Sequence, residues 1–378
     1  MKKLLTRAIL SLSVGGLLVY LAFRDLDWAG LAAALRGADY FWLLPYFGTL
    51  AVVQVVRAWR WRFLLEPIAP ERPSDWRVLS VSWVGFMAII ALPLRLGEVV
   101  RPYLISDPKE KSSEPREEEG PGGRLRMSAA LGTIAVERVV DGLIVSVFLF
   151  VTFFVLQAQG RGTSWMMAMG WTALAVFGGA MIFLSLALWK PKMAVSLALK
   201  LSLLDFAAKR FGGRAAWVRD KVAYGLEGII QGFMTLKSPA LLFKYTATSL
   251  IYWVFNGLGF WVLSKAFHLG LDLTGGYAIC GLVVIGITLP TGPGLVGNFH
   301  EFARLGLGLY LPDAVIRGPG MAYVVAAHLL QLIWYVGVGA IMLVTGQVAF
   351  KKVVEATKEQ MDAALDHGGA STPPQQSS

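Results

Sequence analysis

Arg95, Glu98 and Arg101 follow one another at intervals of three in the string Leu92-Pro93-Leu94-Arg95-Leu96-Gly97-Glu98-Val99-Val100-Arg101. That interval lets a helix beginning near Leu96 pair the three charges along one face. A planar guanidinium binds phosphate bidentately, and helix N-termini attract negative charge, so the set is a candidate anion site. The plainer alternative is a mutually neutralised trio that closes a turn. A second cluster reads Glu137-Arg138-Val139-Val140-Asp141. Glu137 and Asp141 share a helical face, and Arg138 stands three residues from Asp141. The apolar stretch Ala129 to Val136 precedes them, which places them about two turns inside a span. Charge at that depth needs a partner or a purpose. A third cluster is Asn298-Phe299-His300-Glu301. Asn298 as N-cap with Glu301 at N3 has the spacing of a capping box. Glu301 could equally be a membrane-embedded carboxylate that takes up a proton or meets a cationic headgroup. His300 is a group that titrates near neutral pH, or a hydrogen-bonded bystander.

The string Arg57-Ala58-Trp59-Arg60-Trp61-Arg62 interleaves basic and aromatic residues. At the end of a span this reads as interfacial anchoring, with Arg57 and Arg60 free to guide a lipid headgroup, and not as a nucleic-acid surface. The four histidines are scattered and the chain has a single cysteine, Cys280, so no zinc spacing and no internal disulfide is expected. Gly292-Pro293-Gly294 lacks the GK[ST] ending of a phosphate loop, and no cofactor is expected.

These residues must be positioned by helices in a membrane. Of the 378 residues 56% are apolar and only 16% charged, and the mean hydropathy is +0.58. Soluble domains carry about 25% charged residues. Long apolar runs cover residues 8–23, 41–57, 130–157, 165–189, 241–264 and 320–348. The first lacks an A-x-A-like cleavage site and is read as an uncleaved span. Two shorter runs, 78–92 and 275–289, end in breaks containing Pro93 and Gly97, and Pro290, Gly292, Pro293, Gly294 and Gly297. A run of about 15 residues makes roughly 22 Å of helix, short of a bilayer core of about 30 Å. Such a helix dips in and turns back, and irregular backbone there must line protein or a water-filled cavity.

Lys and Arg fall mainly in 57–77, 101–128 and 190–240, which makes these segments cytoplasmic and puts both termini in the cytoplasm of a cell-membrane protein. Parity then sends the first hairpin in from the cytoplasmic side and the second from the outer side. The expected fold is an all-α integral membrane protein with about six full transmembrane helices, two re-entrant broken-helix hairpins and an inverted-repeat character. Paired breaks of this kind point to a transport site. The membrane domain is expected over 1–350, with a polar loop at 106–127 and an amphipathic surface segment at 190–240. A tail over 351–378 is expected to be disordered at its end.

Four strings in order, Arg57-Ala58-Trp59-Arg60-Trp61, Pro93 to Arg101, Glu137 to Asp141 and Pro290 to Gly297, resemble the flippase-like membrane domain of lysylphosphatidylglycerol synthases. That domain also occurs alone in bacterial and archaeal membrane proteins. The resemblance spans about residues 5–350. It implies movement of a polar-headed lipid between leaflets, with Arg95, Glu98, Arg101, Glu137, Arg138, Asp141 and Glu301 as the headgroup path. The synthase domain of bifunctional members is not found in this sequence, so aminoacylation of lipid is not expected. The loop 106–127 looks like an insertion. Expected partners are membrane lipids (anionic phospholipid, aminoacyl-lipid or polyprenyl-phosphate), a second copy of the chain or a lipid-modifying enzyme. The competing reading is a membrane-embedded enzyme acting on lipid-linked phosphates or sugars, with Glu98 or Glu301 as general base.

Overall fold

The computed structural model describes residues 16–69, 71–91, 97–106, 125, 127–160, 164–201, 206, 210, 213–289 and 293–356. Pro93, Arg95, Pro290 and Gly292, nearly all of the loop 106–127 and the tail from 357 onward lie outside them. Every regular element among the described residues is helical. Five helices are long and apolar enough to cross a bilayer: Tyr40–Leu65, Met127–Ala158, Met167–Trp189, Pro239–Ala266 and Asp313–Val344. Of the first expected span only 16–23 is described, and it is helical.

In chain order the elements are α1 (16–23), α2 (Trp28–Arg36), α3 (Leu43–Leu65), α4 (Asp75–Ala91), α5 (Gly97–Ser106), α6 (Met127–Ala158) and α7 (Ser164–Trp189). They continue with α8 (Pro191–Leu201), α9 (Gly213–Gln231), α10 (Pro239–Ala266), α11 (Leu273–Thr288), α12 (Asn298–Leu307) and α13 (Met321–Val344). Local chemistry sets several starts. Asp27, Ser238 and Asp272 accept from the backbone N–H groups of Gly30, Leu241 and Gly275, and Pro239 opens α10 where no N–H is needed. α8 and α9 occupy the segment expected to be amphipathic surface helix.

The two broken segments are helical hairpins. α4 and α5 run antiparallel, with Arg77 donating to the Leu104 carbonyl near their open end and Gly97 against Ala88 and Ile89 near the tip. α11 and α12 do the same, with Gly306 against Ile279 and Gly286 against Phe302. The arms are short: α4 has 17 residues, α11 has 16, and α5 and α12 have 10 each. The longest is therefore about 26 Å.

The hairpins enter the bundle from opposite ends. At one end Trp76 of α4 bonds Gln347 beyond α13, and Thr235 bonds the carbonyls of Phe63 and Leu64. At the other end Asp39 bonds the Ala266 carbonyl and Tyr323 bonds the Phe260 carbonyl. The second tip bends back through Gly294, Leu295 and Gly297, with φ of 70°, 61° and 89°. Glycine adopts that region freely, whereas at Leu295 it costs roughly 1–2 kcal/mol. His328 of α13 holds this tip by a 2.8 Å bond to the Gly294 carbonyl. Asn298 donates to the Gly286 carbonyl at 2.8 Å, adding to the bond that this carbonyl accepts from the Leu289 N–H at the end of α11.

The capping box, one of the two readings open for Asn298 and Glu301, does not form. Gly297 is the N-cap, Asn298 is the first helical residue and reaches across the hairpin, and Glu301 turns to Arg304. A charged partner one turn away outbids a backbone N–H for a carboxylate.

At Gly97 a Cβ would overlap the backbone of Ala88 and Ile89, while at Gly337 it would meet nothing within 4 Å. Gly97→Ala is expected to cost about 1–3 kcal/mol by overpacking. A thermal melt in detergent should therefore show a lowered Tm for Gly97→Ala and one near the parent's for Gly337→Ala.

Candidate functional site

Charge converges where α3, α5, α6 and α10 meet. On α3, Arg57 shares one face with Arg60 and Trp61, three and four residues on; on α6, Glu137, Asp141 and Val145 share one at intervals of four. Arg60 is fully buried and grips both oxygens of Asp141, at 2.6 and 2.7 Å, while Ser249 of α10 accepts a further bond at 2.7 Å. Trp253 of α10 donates its indole N–H to the same carboxylate at 3.0 Å. Glu137, also fully buried, takes a bidentate pair from Arg101 of α5 at 3.1 and 3.3 Å. Arg138 reaches Glu137 at 3.3 Å and Arg60 stands 3.7 Å from it. Three of the guanidinium groups also lie over rings: Arg101 over Trp61 at 4.3 Å, Arg60 over Tyr252 at 4.6 Å and Arg57 over Phe86 at 4.1 Å.

The pairing differs from what short-range spacing suggests. Arg101 makes its ion pair with Glu137, not with Glu98 three residues away, and Asp141 takes Arg60 in place of Arg138. Glu98 acts electrostatically on Arg138 from α5. Arg60 and Trp61 are core residues, both 0% exposed, and the Trp61 indole bonds Thr133 at 2.8 Å. They are not interfacial anchors, because partners on α6 satisfy them inside the bundle.

Beside this cluster lies a cavity of about 620 Å³, within the range of small-molecule sites. Arg57, Arg138, Asp141, Asn256, His328, Gln331 and Tyr335 supply its polar wall. Its remaining wall is mostly apolar and comes from α7, α10 and α11, with Val176, Phe177, Val283, Val284 and Ile287 among the contributors. Leu295, from the tip of the second hairpin, and Ile90, from the first, both line it. Val176 and Leu289 line the cavity while being 60% and 42% exposed, so it opens sideways between α7 and the end of α11. The cavity thus joins an apolar lateral mouth to a polar wall backed by buried ion pairs.

Glu301 belongs to a different place. It forms a bidentate pair with Arg304 at 2.7 and 2.9 Å, and Arg304 faces a smaller polar cavity with Arg24, Asp25, Asp313 and Arg317. His300 packs against Phe23 and His328, with ring centroids 5.0 and 4.8 Å away. The structure therefore gathers Arg57, Arg60, Glu98, Arg101, Glu137, Arg138 and Asp141 in one region and sets Glu301 apart, on the return arm of the second hairpin beside the smaller cavity.

Sequence reasoning missed Trp253, Ser249, Tyr252 and Asn256 on α10, and Gln331 and Tyr335 on α13. The signal was present: residues 245, 249, 252, 253 and 256 form a polar and aromatic stripe at helical spacing, as do 328, 331 and 335.

Removing one partner of a buried pair leaves the other charge unpaired, which costs about 3–5 kcal/mol. Glu137→Gln should therefore lower the detergent melting temperature sharply. Glu301→Gln should lower it less, since Arg304 is 32% exposed and keeps contact with water.

The family model described as the lysylphosphatidylglycerol synthase TM region matches residues 8–339. No curated protein and no solved structure matches the chain.

Proposed function

Because the chain belongs to the lysylphosphatidylglycerol synthase transmembrane-region family, we propose that it is a lipid translocase of the cell membrane, moving a polar-headed lipid between leaflets. The observation that carries this reading is the cavity itself. It opens sideways through apolar residues, ends on a polar wall and is lined by residues of both hairpins, which enter from opposite ends of the bundle. A lipid could leave its chains at the mouth, among Val176 and Leu289, while its headgroup meets Arg57, Asn256 and Gln331. Passage from one face to the other would require the hairpin tips to move. The bond between His328 and the Gly294 carbonyl holds one of them.

The basic end of the bundle, where α3 ends and α4 begins, is assigned to the cytoplasm by the excess of Lys and Arg in 57–77, 101–128 and 190–240, and with it both termini. Transport is favoured over catalysis because neither candidate base, Glu98 or Glu301, lines the cavity, and Glu301 is locked in a bidentate pair with Arg304. A carboxylate held that way is a poor general base.

The test is leaflet exchange of headgroup-labelled lipids in proteoliposomes, with a panel of anionic, zwitterionic and aminoacylated lipids. Ala173→Trp places an indole in the cavity wall from the lightly buried α7, whereas Gly179→Trp on the same helix points into open space. The parent and Gly179→Trp are expected to exchange at least one lipid of the panel, and Ala173→Trp to fall to the rate of protein-free vesicles. Exchange by the parent no faster than in empty vesicles, across the whole panel, would sink the proposal. Chemical turnover of a lipid in detergent would do the same in favour of an enzyme.

A further inference from the structure

We infer that the cavity selects a lipid whose phosphate headgroup carries net negative charge, and that Arg57 is the side chain that grips it. This rests on the cavity being a lipid site, as argued above, and adds the class of lipid and the residue that decides it.

The first observation is a charge imbalance. Among the described residues four guanidinium groups, on Arg57, Arg60, Arg101 and Arg138, share the region with three carboxylates, on Glu98, Glu137 and Asp141. In an apolar bundle a surplus charge is costly until a counter-charge arrives. The surplus can be located. Arg60, Arg101 and Arg138 each form an ion pair, whereas the contacts of Arg57 are with the rings of Phe86 and Tyr252, at 4.1 and 5.9 Å. Stacking on a ring face leaves the in-plane N–H donors of a guanidinium available. Arg57 is only partly buried and lines the cavity, so those donors are open to its contents. A phosphate oxygen pair matches that fork.

The second observation concerns what a cationic headgroup would need. A primary ammonium, such as that of a lysyl headgroup, is a hydrogen-bond donor with no acceptor of its own and is met best by a carboxylate or several carbonyl acceptors. Of the three carboxylates, Asp141 alone lines the cavity. Its two oxygens are taken by Arg60 and one of them also by Trp253. Glu137 is spent on Arg101 and Arg138. A headgroup with a balancing amine would thus bring a charge that the site repels next to one that it attracts. A phosphate without such an amine brings only the attractive one.

The experiment measures binding to the purified chain in detergent, read by intrinsic fluorescence, since Trp253 stands in the cavity wall. The probes are dihexanoyl phosphatidylglycerol and phosphatidic acid, dihexanoyl phosphatidylcholine, a short-chain lysyl-phosphatidylglycerol, and free glycerol phosphate. The two anionic lipids are expected to bind about tenfold or more tightly than the zwitterionic and cationic ones. Glycerol phosphate is expected to bind more weakly than either anionic lipid, because it lacks the chains. Arg57→Gln should erase the preference and Arg57→Lys should keep part of it, as a point charge without the fork. Equal binding of all headgroups by the parent, tighter binding of lysyl-phosphatidylglycerol, or glycerol phosphate binding as well as the lipids would overturn the inference. So would a preference that survives in folded Arg57→Gln. If Arg57→Gln does not fold, the parent's headgroup series and Arg57→Lys still decide. Micelles have no leaflets, so selective binding without leaflet exchange would sink translocation alone. Exchange of every headgroup at one rate would sink the selectivity alone.

Discussion

The bidentate pair between Arg60 and Asp141 joins α3 to α6 at a depth where neither charge could stand by itself. Taking an ion out of water costs several kcal/mol even after relaxation, and only close, well-aligned partners return it. The return here is collective. Ser249 and Trp253 bring α10 to the same pair, and Glu137 extends it to Arg101 on α5 and Arg138 on α6. Four helices that have no apolar reason to choose one another over lipid are thereby given a fixed register. The cavity inherits its polar wall from this arrangement, since Asp141 and Arg138 line it as well as hold the bundle.

The hairpins complement that rigid centre. Their arms are too short to cross, and both hairpins contribute to the cavity wall, through Ile90 near the end of α4 and Leu295 ahead of α12. The second hairpin carries a left-handed leucine, Leu295, between two left-handed glycines, Gly294 and Gly297. Such backbone persists only when its surroundings hold it in place, and His328 and Asn298 supply that hold. One side of the cavity is thus fixed by ion pairs and the other by two neutral hydrogen bonds. The weaker boundary is the one built on the hairpin.

The helical class, the two breaks and the entry of the hairpins from opposite ends could be read from the sequence because their signals are local. A proline and a glycine end an apolar run wherever they stand, and the sum of Lys and Arg assigns a face. The pairings could not be read so well. Arg60 and Asp141 are separated by 81 positions, and Trp253 and Asp141 by 112. Rules for neighbours three or four apart therefore offered Arg138 for Asp141 and Glu98 for Arg101, and the tertiary partners won. The Trp and Arg residues after Arg57 looked interfacial because that is where such strings commonly lie. Only the presence of α6 beside them makes the interior affordable. Glu301 failed as a cap for a related reason, since Arg304 offered a full charge.

The distance in sequence between Arg60 and Asp141 has a further consequence, for synthesis of the chain. Ribosomes add about 5–20 residues per second, so the 81 positions between them take roughly 4 to 16 s to appear. During that time α3 carries Arg60 with no partner from α6, at a cost of up to about 2.5–3.5 kcal/mol, the figure for an arginine at a span centre. The nascent α3 is thus a poor resident of lipid and must wait at the insertion machinery, or with its arginines drawn to the phosphates of the nearer leaflet. Arrival of Glu137 and Asp141 is what lets it settle. A lesion in α6 would then be felt first in α3, as a helix made on time and never accepted by the membrane.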